Sequence, residues 1–141
     1  MDLADGPANL LPIPPYRGAE LSSSDQQENR SVLHRAWRMH FEQVQPSLRN
    51  GFYQGWDLHP AQLPCRYAAV YAFFLQSLPE AALRLRNFVS QSERAARLRS
   101  IFDDAAKGLS LVNFFRRGLS CGALTKDEAD LGLVDRTSPI E

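Results

Sequence analysis

Residues 51–74 read GFYQGWDLHPAQLPCRYAAVYAFF, and two different patterns meet in them. The first half sets aromatic residues between Gly51 and Gly55 and closes on Trp56-Asp57-Leu58-His59-Pro60. This suits a short strand that the chain leaves at Pro60, a residue also at home in the first turn of a helix. The second half is helical. From Cys65 to about Ser77, the apolar residues Tyr67, Val70, Tyr71, Phe73, Phe74, Leu75 and Leu78 cover nearly every face. A helix that apolar must be buried on most sides or meet another subunit.

Working back toward the amino terminus, Leu33, Ala36, Trp37, His40, Phe41, Val44 and Leu48 recur at steps of three and four. They form the stripe of a helix over 31–50. Asn29 or Ser31 can cap its start, and Asn50-Gly51 supplies a left-handed stop. Pro46 predicts a kink near Glu42 or a separate final turn. Residues 18–30 are polar and Ser-rich and read as a solvent-exposed connection. Before them, Leu10-Leu11-Pro12-Ile13-Pro14-Pro15 allows at most a short strand near residues 10–13, since prolines remove backbone donors.

Toward the carboxyl terminus, Pro79-Glu80 opens a further helix with Ala82, Leu83, Leu85, Phe88 and Val89 inward. The arginines between 84 and 99 read as a solvated, mobile face. Asp103 or Asp104 can cap the next helix, which carries Ala105, Leu109, Val112, Phe115 and Leu119 and stops at Gly118 or Gly122. Thr125-Lys126-Asp127-Glu128 has the form of a capping box, so a short last helix starts there. Residues 132–141 read as a frayed tail.

Sixteen Lys and Arg balance sixteen Asp and Glu in 141 residues, which argues against a basic surface for nucleic acid or anionic lipid. No apolar run approaches the roughly 20 residues of a membrane helix. The acidic, Pro/Gly-broken start lacks the features of a signal or transit peptide. Cys65 and Cys121 are too few for a disulfide scaffold or a four-thiolate metal site. The expectation is a reduced, cytoplasmic protein that binds neither nucleic acid nor membrane.

His59-Pro60-Ala61-Gln62 is the segment richest in chemistry. A His at the carboxyl end of a strand, followed by Pro, lies where α/β folds place ligands. On the plain alternative, His59 caps the following turn and Gln62 bonds to backbone. Asp5 and Asp57 stand near the ends of the two extended segments, Asp5 either lining a mouth or belonging to a turn before Gly6. Asp103, Asp104, Asp127 and Glu128 sit where helix caps belong. His34 and His40 are six apart and share no metal-binding face, and His40 falls within the apolar stripe, packed or hydrogen-bonded. Cys65 and Cys121 lack a nearby base and read as small buried side chains. Trp37 and Trp56 read as core. Arg66 can meet an acidic ligand, a neighbour's carboxylate or a surface partner.

The segment Gly51-Phe52-Tyr53-Gln54-Gly55-Trp56-Asp57-Leu58-His59-Pro60-Ala61-Gln62-Leu63 resembles the last barrel strand of the citrate lyase beta-subunit / 2-keto-acid aldolase (HpcH/HpaI) family. Gln54-Gly55-Trp56 stands where that family often has Gly-Lys-Trp, so its lysine is not reproduced. Residues 3–12 are similar to strand seven of an uncharacterised branch, 31–50 to the crossover helix and 114–124 to its helical end. The resemblance implies a chain mainly α in isolation, the C-terminal quarter of a (β/α)8 barrel (strands seven and eight) with appended helices. On that basis 1–17 is a strand-seven remnant and 18–30 a linker. The crossover helix and strand eight fall in 31–63, the C-terminal helices in 64–131 and the tail in 132–141. It further implies magnesium-assisted carbon–carbon cleavage or formation on keto-acid or acyl-CoA substrates. The metal-binding carboxylates of the family lie on earlier strands with no matching position here, so none is transferred and no metal is expected on this chain alone. The candidate barrel-mouth residues are His59, Gln62, Asp57 and Asp5. The expected partners are the missing barrel portion or a second copy through the apolar C-terminal helices. Alone the chain is expected to be inactive. The alternative is a non-enzymatic helical assembly module derived from such a barrel.

Overall fold

Helix α1 (Ser23–Arg49) starts where the sequence supplies a reciprocal donor–acceptor pair. The Ser22 hydroxyl accepts the Asp25 N–H at 3.2 Å, and the Asp25 carboxylate accepts the Ser22 N–H at 3.1 Å. This is a capping box with Asp in the third position. Asn29 adds a clamp: its side chain accepts the Tyr16 N–H and donates to the Tyr16 carbonyl, both at 3.0 Å. The polar residues 23–30, read above as linker, are therefore the first two turns of the helix. The computed structural model describes residues 4–97 and 105–131. Its chain divides into two units, Met1–Phe73 and Phe74–Glu141.

In the first unit, α1 continues through Pro46. It stops where Gly51 takes a φ of +84° and its N–H reaches the Leu48 carbonyl at 3.0 Å, a conformation glycine adopts without steric cost. Ala36, His40, Val44 and Leu48, spaced four apart, form its buried row. Two short strands flank α1 in the chain: β1 (Ala4–Asp5) and β2 (Gln54–Gly55) pair in parallel, Ala4 opposite Gln54 and Asp5 opposite Gly55. The parallel direction follows from the connection through α1, since a tight hairpin would give an antiparallel pair. A 3-10 turn (Pro60–Gln62) then leads into α2 (Leu63–Arg97). Side-chain donors bolt α1 to the first turns of α2. Gln45 Nε2 donates to the Ala69 carbonyl at 2.6 Å, and Cys65 Sγ to the Trp37 carbonyl at 2.9 Å. Ala36 and Ala69 are both fully buried, so neither holds the backbones apart with a long side chain.

The second unit contains the remainder of α2 with α3 (Ala105–Ser120) and α4 (Lys126–Leu131). Phe74, Phe114 and Phe115 form its aromatic centre. The Phe74 and Phe114 rings are 5.1 Å apart, and Phe114 meets Phe115 edge-on at 5.3 Å, geometries that suit the ring quadrupoles. Gly118 allows close approach. A Cβ there would come within 2.6 Å of Leu124 Cδ1 and 3.1 Å of Phe74 Cδ1. The capping box at Thr125 and Glu128 is present, with reciprocal bonds of 2.8 and 3.2 Å. The Thr125 N–H and then its hydroxyl, both donated to the Glu128 carboxylate, hold that carboxyl below its usual range.

Several expectations are corrected. Among the described residues the barrel strands seven and eight are absent. Helix makes up 72% of the described residues, and the ladder is two residues long on each side, against about five or six in an ordinary strand. Gly6 and Pro7 end β1. Residues 11–14 around Pro12 and Pro14 are irregular. After Gly55 the chain turns to meet Arg66 rather than continuing as strand. The two helices expected on either side of Pro79 are one, because Phe74, Ala81 and Ala82 are buried on both sides of that proline. The lost hydrogen bond at proline is thereby offset by packing. Trp37 and Trp56 are exposed, not core. Asp103, Asp104 and the tail 132–141 lie outside the described residues. Among the described residues no helix is long and apolar enough to cross a membrane.

Phe74→Ala should cost the second unit about 4 kcal/mol, the usual penalty for emptying a buried aromatic site. Urea titration followed by circular dichroism measures it, and a loss below 1 kcal/mol would contradict the aromatic centre described.

Candidate functional site

The carboxylate of Asp57 is the electrostatic centre of the first unit. Its Oδ1 lies 2.9 Å from His40 Nε2 on α1 and accepts the Arg66 Nε–H of α2 at 2.8 Å. Only 7% of the Asp57 side chain and 2% of the His40 side chain are exposed. A carboxylate so enclosed loses several kcal/mol of hydration unless it is paired and hydrogen-bonded. Arg66 supplies the counter-charge and also donates from Nη2 to the Trp56 carbonyl at 2.9 Å. The guanidinium can lie there because residue 55 is glycine: a Cβ at that position would overlap Arg66 Nη1. Gly55, Trp56 and Asp57 are thus clasped by one side chain from α2.

The next turn is held by Gln62, which is fully buried. Its Oε1 accepts the N–H groups of Leu58 at 2.9 Å and His59 at 3.3 Å, while Nε2 donates to the Ala8 carbonyl at 2.9 Å. Three backbone groups that would otherwise be orphaned are satisfied by one carboxamide. His59 Nδ1 accepts the Ala61 N–H at 3.1 Å, capping the 3-10 turn. The ring is half-buried.

Of the four candidate mouth residues, the structure does not bring His59, Gln62 and Asp57 into one convergent group. Asp57 turns to His40 and Arg66, Gln62 turns inward to backbone, and His59 serves its own turn. Asp5 is placed by register opposite Gly55; its side chain lies outside the described residues. Among the described residues no three His, Cys, Asp or Glu side chains gather in a way that could hold a metal ion. The buried carboxylate of Asp57 is engaged by an arginine. These residues do not fit a magnesium site. A small cavity of about 90 Å³ opens beside Gly55 and Arg66, walled by Leu48, Tyr53 and Val70.

Two members of the cluster, His40 and Arg66, were not among the candidate mouth residues. His40 carried one signal, an ionisable residue inside an apolar stripe, and Arg66 another, a cation one turn into an apolar helix. Cys65 sits next to them. Burial pushes its thiol up, and the Asp57 carboxylate adds to this. A backbone hydrogen bond at Phe41 and the Arg66 charge act in the opposite sense.

Residues 1–138 match the family described as a domain of unknown function (DUF6986). The chain belongs to that family. No curated protein and no solved structure matches it. Family membership assigns no reaction, so the functional reading rests on the residues themselves.

Asp57→Ala leaves a mostly buried guanidinium without its carboxylate and should lower unfolding free energy by about 3 kcal/mol. Gly55→Ala displaces Arg66 and should cost about 1–2 kcal/mol. Denaturant titration checks both, and a loss below about 0.5 kcal/mol for Asp57→Ala, within the range of ordinary surface substitutions, would show that the cluster does not hold the fold. Cys65 provides a pH test. A thiol raised in the folded state stabilises the fold below the unfolded thiol value, and that contribution fades as pH rises through the folded value. In native protein at pH 8, Cys65 should resist alkylation until denaturant is added, as mass spectrometry of the labelled peptides would show. Rapid labelling without denaturant would contradict its burial.

Proposed function

We propose that this chain is the carboxy-terminal part of a cytoplasmic carbon–carbon lyase of the citrate lyase beta-subunit / 2-keto-acid aldolase type. The lyase would act on keto-acid or acyl-CoA substrates, and the chain would be inactive without the remainder of the enzyme. The observation that carries this reading is the parallel pair β1–β2. Two residues per strand, with no other strand beside either edge among the described residues, are too few to be stable by themselves. So short a pair depends on what packs against it. The resemblance of 51–63 to a segment of that lyase family supplies the reaction class. In this reading the Asp57–Arg66–Gln62 framework fixes the backbone that carries His59, and the magnesium ion belonging to such chemistry is held by carboxylates elsewhere in the enzyme.

A second reading, a helical assembly module without chemistry, has one observation of its own. Leu63, Tyr67 and Tyr71 follow one another at four-residue intervals on α2 and are 42%, 57% and 38% exposed. Such an apolar row commonly marks an interaction surface.

One experiment separates these. The 141-residue chain, and the longer polypeptide encoded with the sequence preceding Met1, are assayed with magnesium for release of pyruvate or acetyl-CoA from 2-keto-4-hydroxy acids and 3-hydroxyacyl-CoA thioesters. The lyase reading predicts cleavage by the longer polypeptide and none by the 141-residue chain. Cleavage by the short chain, or none by either, contradicts it.

A further inference from the structure

His59 is held from both its backbone and its ring. The backbone is extended, with φ of −148° and ψ of 142°, the region that a following proline such as Pro60 favours. Its N–H is donated to Oε1 of the fully buried Gln62 at 3.3 Å. The ring is fixed through Nδ1, which accepts the Ala61 N–H at 3.1 Å. The other ring nitrogen, Nε2, is bonded to no group among the described residues and is not enclosed, so it meets solvent.

The bond at Nδ1 decides what Nε2 can do. A neutral imidazole has one N–H and one nitrogen lone pair in the ring plane. The Ala61 N–H uses the lone pair of Nδ1, so the proton lies on Nε2. Moving it to Nδ1 would set two N–H groups against each other at 3.1 Å and take the acceptor from Ala61. A general base, a nucleophile or a metal ligand at Nε2 needs the lone pair there. The cap denies all three roles and leaves one, a hydrogen-bond donor of fixed direction. A neutral imidazole can polarise a carbonyl in this way, and a donor already in place costs no reorganisation when charge develops.

We propose that His59 is a catalytic hydrogen-bond donor. Its Nε2–H is given to the substrate carbonyl oxygen, keto or thioester, on which negative charge gathers as the carbon–carbon bond breaks. In that step the electron pair of the bond passes to the carbonyl fragment as an enolate. The hydroxyl proton of the other fragment goes to a base in the remainder of the enzyme, that fragment leaves with a new C=O bond, and the proton returns to the enolate carbon. His59 gives up no proton and takes none. The ligand rests on the lyase reading, whereas the tautomer rests on this chain alone.

Two measurements test the assignment. In the 141-residue chain labelled with 15N at histidine, long-range proton–nitrogen correlation spectra should show His59 as a single tautomer with its proton on Nε2. A proton on Nδ1, or averaging of both tautomers as in free histidine, overturns the proposal. In the longer polypeptide, His59→Asn keeps an acceptor for the Ala61 N–H but has no atom in the place of Nε2, whereas His59→Ala removes both. Each should lower kcat about a hundredfold with KM changed by less than about threefold, while only His59→Ala lowers the denaturant midpoint. A kcat for His59→Asn within about threefold of wild type, or a loss that follows stability, overturns the donor role and leaves the lyase reading standing. Absence of cleavage by the wild-type longer polypeptide overturns the lyase reading and, with it, the ligand assigned to His59.

Discussion

A single carboxylate organises the first unit. Asp57 lies just beyond the two-residue ladder, and its Oδ1 is met from α1 by His40 and from α2 by Arg66. The interaction joins parts of the chain far apart in sequence, and it does so where the regular backbone hydrogen bonds have run out. Once Asp57 is fixed, Arg66 is fixed over Gly55, and the turn after it is positioned for Gln62 to gather the Leu58 and His59 N–H groups. Without that anchor the segment 55–62 would be a surface loop with several buried polar groups to satisfy, a costly state for any backbone.

The arrangement separates rigidity from chemistry. The residues that look catalytic in a linear reading, a histidine and a glutamine around a proline, are largely occupied in holding backbone. The charged group is enclosed and compensated. A site of this kind presents a surface with fixed geometry and leaves bond-making groups to be supplied from outside it, which is why the proposed role is one part of a larger enzyme. The exposed row of Leu63, Tyr67 and Tyr71 is a second feature of the same unit whose covering would stabilise it.

Much of the helical architecture was legible from local rules. The stripe from Ala36 to Leu48, the stop at Gly51 and the capping box at Thr125 each depend on residues within a turn or two of one another. What failed depended on distance. Nothing in residues 18–30 announces that Asn29 will clamp Tyr16, and Pro79 signals a break that packing on both sides overrides. Trp56 was read as core from its type, yet the Arg66–Trp56 carbonyl bond holds only its backbone and leaves the ring exposed. The strands were overread because aromatic residues between glycines suit an extended segment, and periodicity cannot register that Arg66 will bend the chain after Gly55. The plain reading of His59 and Gln62, a cap and a backbone partner, needed only residues 58–62 and describes the geometry found. The pairing of Asp57 with His40 needed an α1 residue seventeen positions away and was invisible.

The central claim is that the 55–62 segment is as firmly built as the helices it joins. Native-state amide hydrogen exchange at Leu58 and His59, whose N–H groups are held only by the Gln62 side chain among the bonds described, tests it most directly. The account predicts that these two amides exchange as slowly as those in the buried turns of α1 around Ala36 and His40, through the same global opening. Exchange at the rate of an open surface loop would contradict it.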